Sequence, residues 1–238
     1  FFSPSIHKMA THRILMVGSV ALVTGCLLYH RYRQYRNKPV VIGLTGGVAA
    51  GKSTVCKTLE GLGCYVIDCD KIGHGIYAKG KPAFDEVVRA FGAGVVGEDG
   101  EINRRALAPI VFGSKDEMKK LTDITWPAIL AAAKAEIKQK AQEGQRFFCV
   151  EAAILIEAGW EKTVDQVWVV EVPASVSRER LMQRNKLSEE EAQKRINSQM
   201  TVEERRKYAH IIIDNQRSEA HTATTATQEY LKFTEHYA

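Results

Sequence analysis

Pro39–Leu62, PVVIGLTGGVAAGKSTVCKTLEGL, is the stretch from which the rest of the chain is read. Val40, Val41, Ile42 and Leu44 form a short apolar run rich in β-branched residues, the pattern of a buried strand. Gly46, Gly51, Lys52 and Ser53 then match G-x-x-x-x-G-K-[ST], and the helical spacing that follows runs to Leu62, where Gly63 stops it. Strand, glycine loop and helix are the three surroundings that a phosphate-binding loop requires. The glycines permit backbone conformations that a Cβ forbids, so N–H groups converge on phosphate oxygens, and the helix adds its positive N-terminal end. The segment Gly46, Gly47, Val48, Ala49, Ala50, Gly51, Lys52, Ser53 and Thr54 is therefore expected to hold the phosphates of ATP. In this reading Lys52 bridges the β- and γ-phosphates and the Ser53 hydroxyl ligates Mg²⁺.

Working outward, Cys64–Ile67 reads as a second strand ending in Asp68-Cys69-Asp70, with Lys71–Tyr77 helical beyond it. A carboxylate at the C-terminal edge of such a strand stands where an open α/β sheet binds ligands, and Asp70 there suits a base or a water-mediated Mg²⁺ contact. The plainer alternative makes Asp70 the N-cap of the next helix. Asp70–Gly73 also fits D-x-x-G, a GTPase-like signature, but the chain has no N-K-x-D for guanine selection.

Phe147–Val150, Gln166–Val172 and Ile211–Ile213 are predicted as further strands, and strands alternating with helices at this spacing imply a parallel sheet flanked by helices. Asp116–Ala141 is predicted to be helical, with Pro127 starting a second helix. His74, Tyr77, Arg104, Phe112 and Trp126 suit an acceptor pocket or, equally, core packing. Ser175–Tyr208 is a charged helical block carrying two capping boxes, Ser188-x-x-Glu191 and Thr201-x-x-Glu204. Standing alone such a block reads as a solvated face, but its place between two strands favours a lid that brings Arg180 and Arg184, four apart on one face, over the nucleotide.

The 238 residues suit one α/β domain, or one domain with a lid and a tail. Six basic and no acidic residues precede Pro39, so of the net +5 the remainder carries −1, which argues against a broad nucleic-acid surface. Five cysteines without a C-x-x-C pair suit free thiols in a reducing compartment. Ile14–Tyr29 is uncharged and mostly apolar between Arg13 and the cluster Arg31, Arg33 and Arg36. As a helix it would span roughly 24 Å, slightly under the hydrocarbon core. It is read as an uncleaved membrane anchor, with an import or secretion signal and a buried helix as alternatives. The anchor reading puts the catalytic part on the cytosolic side of the mitochondrial outer membrane or the endoplasmic reticulum, the alternative being the mitochondrial interior. Met9 is a possible initiator.

From Val41 onward the chain resembles dephospho-CoA kinase. The matching pieces are GLTGGVAAGKST (Gly43–Thr54), VIDCDKIGH (Val66–His74), NRRAL (Asn103–Leu107), Val111-Phe112, RLMQRNKLSEEEAQKRINSQ (Arg180–Gln199) and IIIDN (Ile211–Asn215). The resemblance implies ATP-dependent phosphorylation of the ribose 3′-hydroxyl of dephospho-CoA with Mg²⁺, by a P-loop kinase fold with a helical CoA-binding region and a lid. It implies Asp70 as catalytic base, Lys52 and Ser53 as phosphate and metal contacts, Arg184 as the lid arginine and Thr45 beside the acceptor. Two departures stand out: Glu151-Ala152-Ala153 where the family has Asp-x-Pro, and Trp126-Pro127 where it has His-Pro. A P-loop kinase of another nucleotide-like acceptor and an anchored nucleotide-binding pseudokinase remain as alternatives.

Overall fold

In β1 (Val40–Gly46) every residue is buried, as an unbroken β-branched run in the middle of a sheet should be. The computed structural model describes residues 38–238. Around β1 it places β2 (Tyr65–Asp68), β3 (Phe147–Glu151), β4 (Gln166–Glu171) and β5 (Ile211–Asp214) in the order β2-β3-β1-β4-β5, all parallel. The registers Leu44↔Glu151, Asp68↔Glu151 and Gly46↔Val170 bring the strands' C-terminal ends to one edge. The chain leaves β1 for β2 on one side and later crosses to β4 and β5 on the other, so the crevice opens at the end of β1.

Alternation along the strands feeds two cores. Val40, Ile42, Leu44 and Trp168 pack with α1 (Lys52–Gly61) and the last helix, α9 (Glu219–His236), through Val55, Leu59, Ala226, Tyr230 and Phe233. Val41, Phe148, Val150, Val167 and Val169 face the other way, onto α2 (Cys69–Gly75) and α5 (Lys115–Gln142). A smaller third core, centred on Val87, Val95, Leu107 and Val111, joins α3 (Pro82–Phe91) and α4 (Arg104–Gly113) to the start of α5.

The block between β4 and β5 forms α6 (Ala174–Asn185), α7 (Glu189–Asn197) and α8 (Val202–Arg206), and both capping boxes are formed. Three sequence expectations are corrected. Pro127 starts no new helix: α5 runs through it, with Thr125, Ile129 and Ala133 buried on either side. Burial of that face outweighs the one hydrogen bond that proline forfeits. Phe112 belongs neither to a core nor to a pocket, being 79 % exposed. The second strand begins one residue later than expected, and its helix begins two residues earlier because Asp68 rather than Asp70 caps α2.

The anchor expected at Ile14–Tyr29 lies outside the described residues. Among the described residues no helix is long and apolar enough to cross a membrane. The four described cysteines are free and buried.

Candidate active site

The loop between β1 and α1 is fixed by close approaches that only glycine allows. A Cβ on Gly46 would stand 2.3 Å from the Val170 carbonyl oxygen. Gly51 has φ 97°, and its Cβ would stand 1.9 Å from Asn215 Nδ2. Between them Ala49 takes a left-handed φ of 57°, an uncommon conformation for a residue with a side chain. Side chains from the far end of the sequence tie the loop's carbonyls back. Ser177 Oγ donates to Val48 O at 3.1 Å, Arg180 Nη1 to Ala49 O at 3.3 Å, and Asn215 Nδ2 to Ala50 O at 2.8 Å. A trans peptide points its N–H away from its C=O. Holding carbonyls on the outside therefore favours N–H groups on the inside. The first turn of α1 has no side-chain cap, which leaves its leading N–H groups for an anion.

These residues open onto a cavity of about 800 Å³ lined by Val48, Ala49, Ala50, Gly51, Lys52, Ser53 and Thr54. Asp70, Glu151, Arg180 and Arg184 line the same space. Lys52 Nζ lies 3.4 Å from the Gly46 carbonyl oxygen, reaching back along the loop it belongs to. Asp70 sits in the first turn of α2 with its carboxylate unclaimed by capping. That task falls to Asp68, which accepts from Lys71 N–H at 2.9 Å and pairs with Lys71 Nζ at 3.2 Å. Asp70 also lines a second cavity of about 410 Å³, together with Cys69, Gly73, His74, Ile129, Ile154 and Trp160. One carboxylate thus borders both spaces.

The remaining predicted residues fall in two groups. His74, Tyr77 and Arg104 come together: Arg104 Nη1 lies 2.7 Å from His74 Nδ1, its other terminal nitrogen donates to the His74 carbonyl, and its guanidinium lies over the Tyr77 ring at 5.2 Å. If Arg104 donates to Nδ1, the ring proton of a neutral His74 is on Nε2. Only His74 of the three lines the second cavity. Thr45 is fully buried beneath the loop, and its hydroxyl donates to Ala153 O at 3.3 Å. Of the two departures, Glu151 keeps a carboxylate in the larger cavity, where the Cys56 thiol donates to it at 3.3 Å. Trp126 packs against the core instead of lining either space. Burial pushes the neighbouring Cys69 thiol up to about 12. It stays protonated at neutral pH and adds no charge beside Asp70.

Sequence reasoning missed Asn215 as a loop brace and Gln199 as the group that occupies a loop N–H. Asn215 is buried, donates to the loop and accepts from the Thr222 hydroxyl at 2.5 Å. The Gln199 side-chain oxygen accepts from Val48 N–H at 2.7 Å. Both sit at the ends of quoted matching segments, which was the only available signal.

A phosphate loop facing a free carboxylate across an open crevice, in a five-stranded parallel sheet of this order, is the architecture of a P-loop phosphotransferase. The family model for dephospho-CoA kinase matches residues 40–221. A dephospho-CoA kinase of Carboxydothermus hydrogenoformans is 42% identical over 175 residues, covering 74% of this chain and 85% of the relative. One from Aquifex aeolicus is 39% identical over 193 residues, 81% of this chain and 97% of the relative. The solved dephospho-CoA kinase from Campylobacter jejuni superposes with a TM-score of 0.62 at 30% identity, covering 83% of this chain and 98% of that one. A Thermus thermophilus structure gives 0.69 at 30% identity, covering 82% and 97%. The chain belongs to the dephospho-CoA kinase family.

Proposed function

We infer that this chain transfers the γ-phosphoryl group of ATP to the ribose 3′-hydroxyl of dephospho-CoA, the last step of coenzyme A biosynthesis. The observation that carries this is the position of Asp70 on the boundary between the loop cavity and the smaller one beside it. ATP lies along the loop, and the acceptor ribose enters from the His74 side. Asp70 takes the proton of the 3′-hydroxyl as its oxygen attacks phosphorus. The bond from phosphorus to the β,γ-bridging oxygen breaks, and ADP leaves with that electron pair. Lys52 and the loop N–H groups hold the phosphates, and Arg184 from α6 meets the charge spread over the transferred group, while Arg180 stays on the Ala49 and Asn215 carbonyls. The helices from α6 to α8 act as the lid, within a kinase unit spanning residues 39–238. His74, Tyr77 and Arg104 orient the acceptor, and Thr45 positions the loop and the Ala153 segment from beneath.

Mg²⁺ fits this donor set. Ser53, Asp70 and Glu151 line one cavity, and among the described residues no cluster of three or more His, Cys, Asp or Glu forms a cage of protein ligands. That is the usual situation for Mg²⁺, which is held by one or two protein oxygens together with substrate phosphates. Ser53 would ligate it directly, with the carboxylates acting through its water shell. Bound there, it would offset charge on the β- and γ-phosphate oxygens.

The test is phosphoryl transfer from ATP to dephospho-CoA set against nucleoside monophosphates. Transfer to dephospho-CoA alone is expected. Preference for a monophosphate would indicate a different acceptor, and nucleotide binding with no transfer would indicate a pseudokinase.

The apolar, uncharged run Ile14–Tyr29 with its basic flanks supports a membrane anchor that leaves the kinase unit on the cytosolic face of the mitochondrial outer membrane or the endoplasmic reticulum. A fluorescent fusion of residues 1–38 should remain with membranes through alkaline carbonate extraction. Its release, or its recovery from the mitochondrial interior, would overturn the anchor.

A further inference from the structure

Arg205, in α8, is 2 % exposed, and its Nε and Nη2 are buried with no acceptor among the described residues. Its neighbour Arg206 shows what a satisfied guanidinium looks like, gripping Glu171 through Nε at 2.8 Å and Nη2 at 2.5 Å. Arg205 has no such mate. Glu157 favours its charge only from a distance, and burial pulls its pKa down from the usual arginine value. A buried cation with unmet donors is costly, so it persists where something is gained by keeping it.

The arginine ends at the phosphate loop. The point where a Cβ on Gly47 would stand is 3.7 Å from Arg205 Nη1 and 3.9 Å from Gln199 Oε1. That same Gln199 oxygen accepts the Val48 N–H. A loop N–H, a neutral carboxamide oxygen and an unpartnered guanidinium therefore meet around Gly47. They also border a cavity of about 600 Å³ at the ends of β4 and β5, separate from the Asp70 space but sharing Val48, Ala50 and Gln199 with it. An N–H donates more strongly to an anionic oxygen than to a neutral amide. Lys52 Nζ points to Gly46, one residue away, which puts the outermost phosphoryl group at this end of the loop.

We propose that Gln199 Oε1 is a stand-in for an oxygen of the terminal phosphoryl group of ATP, and that this oxygen, on displacing it from Val48, is taken up by Arg205 Nη1, the guanidinium nitrogen that borders the loop. Arg205 is then a phosphoryl-binding residue that distinguishes nucleoside triphosphate from diphosphate, and it makes the seating of the α7–α8 segment depend on the group to be transferred. The proposal rests on the assignment of ATP to the loop.

The experiment compares, on the full chain with Mg²⁺, calorimetric binding of ADP and of the β,γ-methylene analogue of ATP, and the melting of the ligand-free protein. Arg205→Met is expected to bind ADP as the parent does and to lose the analogue by roughly 10- to 100-fold, which is about 1.4 kcal/mol for each tenfold step. It should melt no lower than the parent, because an unpaired buried charge has been replaced by an apolar chain of similar length. Gln199→Ala, which removes the competing oxygen, should bind the analogue a few-fold tighter. Arg205→Lys, which keeps the charge, should retain part of the preference, and it serves in place of the methionine variant if that does not fold. A lower melting temperature in Arg205→Met with an unchanged ratio of analogue to ADP binding would make Arg205 a structural residue and overturn the proposal. Weaker analogue binding in Gln199→Ala would overturn it too. Lys52→Ala separates the two levels. If it leaves both nucleotides bound as before, the ATP site itself is misplaced. If it loses both while Arg205→Met keeps the parental ratio, only the Arg205 assignment falls.

Discussion

The side chain of Asn215 lies against the backbone of Gly51 so closely that its Nδ2 occupies the space of a Gly51 Cβ, 1.9 Å from where that carbon would stand. The same nitrogen donates to Ala50 O at 2.8 Å, so Asn215 braces the loop at the position where the loop needs a glycine. Gly51→Ala should meet both this clash and the left-handed φ of 97°. Transfer is expected to fall to background, with nucleotide binding lost in calorimetry.

Asn215→Ala tests the brace from the other side. It leaves Ala50 O without its donor and the buried Thr222 hydroxyl with only the longer bond to Ser218 O at 3.4 Å, and an unsatisfied buried polar group costs roughly 1–3 kcal/mol. A lower melting temperature together with a raised KM for ATP is expected. A change in kcat alone would contradict a bracing role.

Asp70→Asn keeps the shape of the side chain and removes its capacity to take a proton. A general base contributes typically about 10²–10⁴-fold, so kcat should fall by that order while binding of ATP is kept. Lys52→Ala should instead lose ATP binding and transfer together. Undiminished transfer by Asp70→Asn would require another base, and Glu151, on the same cavity, would be the first to examine.

What the sequence disclosed was local, and what it hid was long-range. β1, the loop and α1 were legible because a β-branched run, glycines at fixed offsets and helical spacing all lie within one stretch. The two capping boxes were legible for the same reason. Which aspartate caps α2 was not, since Asp68 and Asp70 both stand near the strand end and the backbone alone decides between them. The partners of the loop were hidden further, because Gln199 reaches Val48 across 151 residues and Asn215 reaches Ala50 across 165. Pro127 misled because propensity describes an isolated helix, whereas α5 is held by the face it buries. Arg205 sat unremarked in a charged run, where most members are solvated.

The helices α7 and α8 should loosen in acid. Hydrogen bonds from the Ser188 and Thr201 backbone N–H groups hold the Glu191 and Glu204 carboxyls below their usual value. A carboxyl whose folded pKa lies below its unfolded value of about 4.3 adds stability that is fully present above that value and is lost as pH falls through the folded one. Hydrogen-exchange protection over α7 and α8, taken against the intrinsic rate at each pH, is therefore expected to fall below about pH 4. In the double variant Glu191→Gln and Glu204→Gln, this acid-dependent part should vanish. Ser188→Ala or Thr201→Ala should loosen the corresponding helix at neutral pH by about 1 kcal/mol, the usual value of an N-cap.

The core thiols should be inert. Burial raises Cys64 and Cys69 to about 12, and the reactive species is the thiolate. At pH 8 iodoacetamide should leave both unmodified in the folded chain and label both after denaturation, as read by peptide mass. Labelling of folded Cys69 would show that the wall beside Asp70 opens to solvent.

Because Asp70 fronts two spaces at once, the proposed assignment gives donor and acceptor separate doors. Neither ligand has to depart before the other arrives, and no side chain has to carry the phosphoryl group between them. Initial-rate patterns for ATP and dephospho-CoA should accordingly converge, the mark of a complex holding both, and inversion at an isotopically chiral phosphorus should record one direct handover.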